Sequence, residues 1–516
     1  MVYTKADLKL FKEKQLKEND IHRQIANFEK GFHYIQLIEP ATIGNGILQF
    51  TPAKEEQLVE DFEQKRNKLQ IIKMVPASGS ATRMFKDLFQ FIENYQGTEK
   101  EFLDFMQSKQ QNSMYYFFNH LEELPFYSHL ESILWNDKKD LKKMLAKREY
   151  KSILKYILDK EGLNYGNTPK GLVDFHIYRD FIRTAFDEHI VEGALYCHNN
   201  QTSSLHFTVS QEHLSLFKNR LKKISKIFEK RFQIKFDVTF SIQKPSTDTI
   251  SIDDQGNLLR DSKGNIIFRP GGHGALIYNL NELKADLVFI KNIDNVVPDR
   301  AKEDTIKYKK ILASTLLETQ EKVFHYLNIL DKKPDTEELQ KIEDFIKQIG
   351  YRPNISLKSE NDKEKIKYFK GILNRPIRVC GMVKNEGEPG GGPFWATSSD
   401  GQTRLMIIES AQIDTNRKDQ QQIFNTSTHF NPVDLVCGLK DYKGNKFDLT
   451  QFIDPEQGFI TQKSYQGKNI KVQELPGLWN GAMANWLTIF VEVPLTTFTP
   501  VKTVFDLFRI EHRNIL

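Results

Sequence analysis

Cysteine is scarce in this sequence. Cys197, Cys380 and Cys437 are the only three in 516 residues, and no two of them form a Cys-x-x-Cys pair. A disulfide framework or a cysteine-built zinc site is therefore excluded, and buried free thiols in a reducing compartment are expected. Long apolar runs are missing as well, so no transmembrane helix is expected. The stretch Met1-Val-Tyr-Thr-Lys-Ala-Asp-Leu8 lacks the apolar centre of a secretory signal. Surplus charge is small: 73 Lys and Arg stand against 68 Asp and Glu, for a net charge of +5. So slight and scattered an excess argues against nucleic-acid binding and suits a small anionic substrate. No internal repeat and no low-complexity segment interrupts the chain. These absences lead us to expect a cytoplasmic protein with small-molecule substrates, no nucleic acid and no membrane partner, its oligomeric state left open.

What is present is aromatic and alternating. Thirty-seven Phe residues promise a large aromatic core, in a chain long enough for one big domain with insertions or for two or three domains. Residues 1–66 are charged and helical in pattern, with a short apolar break near Tyr34–Phe50, and read as a helical N-terminal appendage. From 67 to 510 strand-like runs alternate with helical ones: Leu69–Val75, Ser204–Ser210, the basic amphipathic Leu214–Phe232, Phe236–Gln243, Ala285–Val296, Arg378–Lys384, Leu405–Glu409 and Phe490–Val493. Leu172–Glu192 has helical spacing, and residues 252–268 make a hairpin-like excursion. This pattern predicts an α/β fold with a mixed, mostly parallel sheet covered on both faces. Two further helical stretches, at about 87–161 and 300–370, read as insertions, the second with a Lys/Glu-rich interruption at Leu357–Lys367.

Several short constellations carry chemistry. The strand Leu69–Val75 runs through Pro76-Ala-Ser-Gly-Ser-Ala-Thr-Arg-Met84 into a helical stretch. Small residues between a strand and a helix expose backbone N–H groups, and Ala77, Ser78, Gly79, Ser80 and Thr82 are too short to block a polyphosphate. Arg83 would add a fixed forked charge. The same composition also suits a plain tight turn. Pro270-Gly-Gly-His-Gly274 surrounds His273 with glycines, Gly272 among them, which fits either a flat ligand pressed on the backbone or a simple glycine turn. Asp294 ends an apolar strand, where a carboxylate in an open α/β sheet faces the ligand crevice and can hold Mg²⁺ through substrate phosphates. On spacing alone an ordinary strand-ending Asp turn is slightly favoured there. Lys384–Pro393 is a glycine-rich loop of lid length, and Lys502 follows Phe498-Thr-Pro-Val501 near the C-terminus.

In this order the pieces resemble the UDP-sugar pyrophosphorylases, most of all the UDP-N-acetylhexosamine pyrophosphorylases. Pro76–Met84 is similar to that family's LAGGxGTRL loop, Pro169-Lys-Gly171 to its PKG element, and Thr208-Val-Ser210 to its MTS strand. Gln243 with Pro245, Asp254-Gln-Gly256 and Gly264–Gly274 track the segment that holds uracil and begins the sugar site. Ile293-Asp-Asn295 resembles the VDN metal element, and Glu386-Gly-Glu-Pro-Gly390 the sugar-side loop. Ile407-Ile-Glu409 resembles VVEYSE, Asn425–Phe430 NIANHF, and Phe498–Lys502 FSPLK. Departures exist: Ser78 and Ala81 replace two loop glycines, and His273 stands where the acetylhexosamine enzymes carry Asn. No counterpart of the family's C-terminal domain is expected after Lys502. An uncharacterised branch of the family is indicated.

The resemblance implies a GT-A, Rossmann-like three-layer domain and the joining of a nucleoside triphosphate, UTP first, to a sugar-1-phosphate with release of pyrophosphate. It assigns Arg83, Lys170 and Lys502 to the phosphates as catalytic groups, and Ala77, Ser78, Gly79, Ser80 and Thr82 to the nucleotide. Gln243 and Gly272 are assigned to the base, His273, Glu409 and Asn425 to the sugar, and Asp294 to Mg²⁺. Two alternatives share the fold: a cytidylyltransferase-type relative, and a nucleotide-sugar-binding protein without activity.

Overall fold

The computed structural model describes residues 3–353, 361–387, 390–465 and 468–513. Glu388 and Pro389 of the sugar-side loop, and residues 357–360 of the Lys/Glu-rich interruption, lie outside them. The chain folds as two compact units, neither continuous in sequence. Unit 1 comprises Met1–Ile72, Ser241–Ile290 and Lys309–Pro494, and unit 2 comprises Lys73–Phe240, Lys291–Tyr308 and Leu495–Leu516.

In unit 2 the strands Ile71–Pro76, Thr202–Val209 and Lys235–Ile242 lie side by side in that order. The first is a run of apolar side chains buried at Met74 and Val75. Thr202–Val209 is buried along most of its length, whereas Lys235–Ile242 alternates exposed and half-buried positions, as a half-covered strand does. Helix Leu214–Phe232 turns Phe217, Ile224 and Phe228 inward and leaves its lysines in water. The expected first insertion is helical, from Lys86–Asn94 to Tyr150–Leu158. Its Leu88, Phe117, Phe126, Leu130 and Ile153 join Val75, Phe186 and Phe207 in one apolar cluster. Each such fully buried side chain contributes roughly 1.5–3 kcal/mol. These helices are thus part of the unit's core.

Leu172–Glu192 departs from the expected single helix. It forms a small antiparallel pair, Asp174–Ile177 with Ile182–Thr184, and only then the helix Ala185–Tyr196. Thr184 and Asp187 close a capping box that fixes the helix start there. The helix is buried all round, so it lacks the polar stripe by which a surface helix is recognised.

Among the described residues unit 1 contributes strands to three sheets. Its largest runs Thr42–Ile43, Gly46–Leu48, Leu487–Glu492, Ile377–Lys384, Asp434–Gly438, Leu287–Lys291. Leu487–Glu492 is parallel to both Gly46–Leu48 and Ile377–Lys384, while Asp434–Gly438 is antiparallel to Ile377–Lys384, which makes the sheet mixed. A second sheet orders Gln36–Pro40, Gly392–Thr397, Thr403–Ile408 and Tyr351–Arg352, and a third Phe268–Arg269, Thr249–Asp253, Lys468–Glu474 and Phe459–Tyr465. The N-terminal 66 residues are therefore more than a helical appendage. The apolar break at Tyr34–Phe50 supplies strands, and Phe11 and Ile21 pack with Ile250 and Ile266. The second expected insertion contains the helices Glu303–Asp331, Thr336–Gln348 and Asp362–Leu373, plus the strand Tyr351–Arg352.

Candidate active site

Three segments of unit 2 meet at Asp294. After Ile71–Pro76 the chain turns through Ala77–Ser80 into the short 3-10 turn Ala81–Arg83, then into helix Lys86–Asn94. The turn is pinned by Ala77 N–H donating to Thr208 O (2.8 Å) and Ala81 N–H to Thr168 O (3.1 Å). Lys170 N–H donates to Gly79 O at 3.2 Å, so the Pro169-Lys-Gly171 element is tied directly to the small-residue turn. Ser78, Gly79, Ser80, Thr82 and Arg83 are exposed, whereas Ala77 is buried. Ser80 and Thr82 hydroxyls lie 2.9 Å apart. A Cβ placed on Gly79 would meet nothing within 4 Å, so the backbone there faces open space.

The Phe498–Lys502 segment lies along Ile293-Asp-Asn295. Val501 N–H donates to Asp294 O (3.0 Å), and the Asn295 side chain bonds Thr497 O (3.2 Å) and Thr499 N–H (3.0 Å). Lys502 is thereby carried to the carboxylate. Lys170 Nζ stands 2.8 Å and Lys502 Nζ 3.2 Å from the same oxygen, Asp294 Oδ2. Asp294 Oδ1 is buried with no hydrogen-bond partner among the described residues. Burial alone would raise this carboxyl's pKa, but the two ammonium groups outweigh it and hold it below the usual range. Burial lowers the pKa of Lys170, against the pull of Asp294, and the Lys502 charge adds to the lowering. Lys502 itself is 57% exposed.

Behind this centre His189 Nε2 touches the carbonyls of Asn292 and Ile293, both at 3.2 Å. Beside it Glu192 receives Lys73 (2.8 Å) and Lys291 (2.9 Å), all three buried. This cluster holds Lys291, the end of the strand Leu287–Lys291 from which the chain turns to Asp294.

The residues assigned to base and sugar lie in unit 1. Gln243 is half-buried and its amide approaches Thr247 Oγ1 at 3.3 Å. His273 stacks on Trp479 with ring centroids 4.1 Å apart, and its Nδ1 accepts Leu478 N–H at 3.0 Å. Burial pushes its pKa down to about 4, so the ring is neutral at physiological pH. Trp479 Nε1 donates to Glu409 Oε1 at 3.3 Å, and burial raises the Glu409 pKa. His273, Trp479 and Glu409 thus form one cluster. Asn425 sits outside it, exposed at the end of helix Lys418–Asn425. The glycines around His273 have mostly internal reasons. A Cβ on Gly271 would come 2.4 Å from Thr247 O, and one on Gly274 would come 2.1 Å from Pro476 O. Gly272 alone of the three has positive φ, +78°.

A family model matches residues 4–513. The chain belongs to that family, the domain of unknown function DUF4301. No curated protein matches it. Among solved structures the DUF4301 chain is similar to UDP-N-acetylglucosamine pyrophosphorylase from Trypanosoma brucei in complex with an inhibitor. Identity is 12% and the TM-score 0.49, over 98% of this chain and 79% of that one. A UDP-glucose pyrophosphorylase variant from Leishmania major in complex with UDP-glucose shows 14% identity and a TM-score of 0.42, over 97% and 77%. UDP-glucose phosphorylase from Trypanosoma brucei shows 14% identity and a TM-score of 0.44, over 97% and 77%.

Sequence reasoning missed Trp479 of the DUF4301 chain, although its setting, Leu475-Pro-Gly-Leu-Trp-Asn480, has the turn residues that mark a functional loop. It also missed the Glu192 cluster, whose members are scattered along the chain. The cavities of about 440 Å³ beside His129 and Phe181, and about 270 Å³ beside Gly46 and Trp395, contain none of the expected site residues. The charged groups converge instead on Asp294. Among the described residues no group of three or more His, Cys, Asp or Glu is arranged for a metal, and no helix is long and apolar enough to cross a membrane.

Proposed function

We propose that the DUF4301 chain is a nucleotidyltransferase that joins a nucleoside triphosphate, UTP first, to a sugar-1-phosphate. One observation carries the reading: two lysines from separate motifs converge on Asp294 beside a turn of small residues. A sugar-1-phosphate oxygen attacks the α-phosphorus, forming the new O–P bond as the bond to the β-phosphate oxygen breaks and pyrophosphate leaves with its electron pair. The attacking oxygen is already anionic, so no general base is needed. Positioning and neutralisation of charge then supply the catalysis.

In this reading Gly79, Ser80 and Thr82 offer the triphosphate backbone N–H and hydroxyl groups, and Arg83 adds charge from its exposed position. Ala77 and Ser78 shape the same turn. Lys170 is the fixed cation and Lys502 the movable one. Asp294 would hold Mg²⁺ as a single carboxylate contact, since its Oδ1 is buried and has no partner among the described residues. Bound Mg²⁺ would supply charge neutralisation at the phosphates. In unit 1 we assign Gln243 and Gly272 to the base, and His273 and Glu409, with Trp479 between them, to sugar hydroxyls; Asn425 is assigned to the sugar on resemblance alone. A cytoplasmic location is supported by three buried free thiols.

The test is pyrophosphate release from purified protein with Mg²⁺, a mixture of sugar-1-phosphates and each nucleoside triphosphate in turn. Release with UTP alone is expected. Release with CTP alone would replace the base assignment by a cytidylyltransferase. No release with any nucleotide, together with nucleotide-sugar binding, would replace the enzyme by a binding protein.

A further inference from the structure

Resting on that reading, we infer that the Lys170–Asp294–Lys502 centre takes up polyphosphate first and a divalent cation only together with it. The argument is one of charge and geometry. Asp294 brings one negative charge, and both of its close partners are lysines bound to the same oxygen, Oδ2. The group of three therefore carries a net positive charge before any ligand arrives. The nearest further carboxylate in this segment, Asp506, does not reverse that sign. It is held by the backbone N–H groups of Lys502 and Thr503 and by the Arg509 guanidinium at 2.8 Å. A free divalent cation approaching Asp294 Oδ1 meets one carboxylate and two ammonium groups, which is repulsive on balance. A polyphosphate meets the opposite field.

Lys170 and Lys502 differ in freedom. Lys170 is buried to 14% side-chain exposure, while the Lys502 side chain remains 57% exposed. Lys502 is the group that can leave Oδ2 and follow a phosphate oxygen. Its departure uncovers the carboxylate just as the phosphate brings negative charge to share the metal. Cation and polyphosphate affinities are then coupled, and each must strengthen the other by the same factor.

The probes are Mn²⁺, counted as the ion retained with the protein over that in the filtrate on ultrafiltration, so that Mn²⁺ held by free tripolyphosphate is not scored as bound, and inorganic tripolyphosphate, followed by calorimetry with a chelator present. Wild-type protein is expected to bind tripolyphosphate without metal, and to bind Mn²⁺ at least about tenfold more tightly once tripolyphosphate is present. Lys502→Met should tighten Mn²⁺ binding in the absence of tripolyphosphate by about tenfold while weakening tripolyphosphate. Equal Mn²⁺ affinity with and without tripolyphosphate, or no gain in Lys502→Met, would overturn the inference and leave the nucleotidyltransferase reading standing. Failure of tripolyphosphate to bind under any condition would overturn both. Asp294→Asn serves as the reference: it should abolish Mn²⁺ binding in either condition, and Mn²⁺ binding that persists there would place the cation elsewhere and overturn the inference.

Discussion

Lys502 has a side chain that packs little and points at a single carboxylate, so its chemistry can be separated from its structural role. Lys502→Ala should lower kcat/KM by about 10²-fold or more, the usual loss when a transition-state charge contact disappears, while thermal unfolding stays close to wild type. An unchanged rate would remove Lys502 from the site. His273 and His512 make a different point, about pH. Burial holds His273 down to about 4 and His512 down to about 3, both below the ordinary histidine value of about 6.5. Unfolded chain therefore takes up protons in that interval that the folded chain refuses. Stability contributed by these neutral rings is complete above about pH 6.5 and is lost as pH falls toward 4 and 3. Chemical denaturation at stepped pH should show this slope, and it should be shallower in His273→Asn; an identical slope would show that the stacked ring is not the group responsible. Asp294, Lys170 and Lys502 were legible in sequence because each sits in a short motif in an expected order. Trp479 was not, since a lone tryptophan reveals its partners only after folding brings His273 and Glu409 to it.

Glycines that look alike in sequence separate at the level of turns and strands. A Cβ at Gly79 enters open space on unstrained backbone, so Gly79→Ala should leave the melting temperature unchanged yet weaken tripolyphosphate binding. Gly274→Ala drives a Cβ to 2.1 Å from Pro476 O and should destabilise unit 1 by about 1–3 kcal/mol, the range for overpacking. If Gly79→Ala binds tripolyphosphate as wild type does, the small-residue turn is only a turn. Three further glycines close matching turns, Asp253-Asp-Gln-Gly-Asn257, Asp261-Ser-Lys-Gly-Asn265 and Asp441-Tyr-Lys-Gly-Asn445. In each the Asp Oδ1 accepts the N–H of the residues two and four ahead, and glycine takes φ near +80°. The first two lie in the excursion that reads as hairpin-like from sequence, while the third was not singled out. Other elements were not legible in sequence. Ala185–Tyr196 is buried on nearly every side, its Asp187, Glu188, His189 and Glu192 included, and blurs into the two short strands before it, because periodicity needs an exposed polar face to register. The strands Phe459–Tyr465 and Lys468–Glu474 escaped because half-exposed antiparallel strands carry long polar side chains.

Among the described residues several ionised groups are buried in company. Lys73 and Lys291 share Glu192 inside unit 2, and Lys309 meets Asp434 inside unit 1. Removing one partner strands the others, so Glu192→Gln should cost about 3–5 kcal/mol, measured by denaturant titration. A loss below about 1 kcal/mol would mean that water reaches the lysines and that the cluster does not brace the end of the strand Leu287–Lys291. None of these partners is near another in sequence, which is why alternation of strands and helices disclosed the fold class while the charge network stayed hidden.

The interleaving of the two units has a consequence for synthesis. A ribosome must translate every segment of unit 1 before it reaches Leu495, and only then does unit 2 receive the strip that bears Lys502. During that interval Asp294 and Lys170 are already made, with one ammonium fewer at the carboxylate. Every nascent or prematurely released chain that stops before Lys502 lacks one ammonium at Asp294, so the Lys170–Asp294–Lys502 group is complete only after every segment of unit 1 has been made.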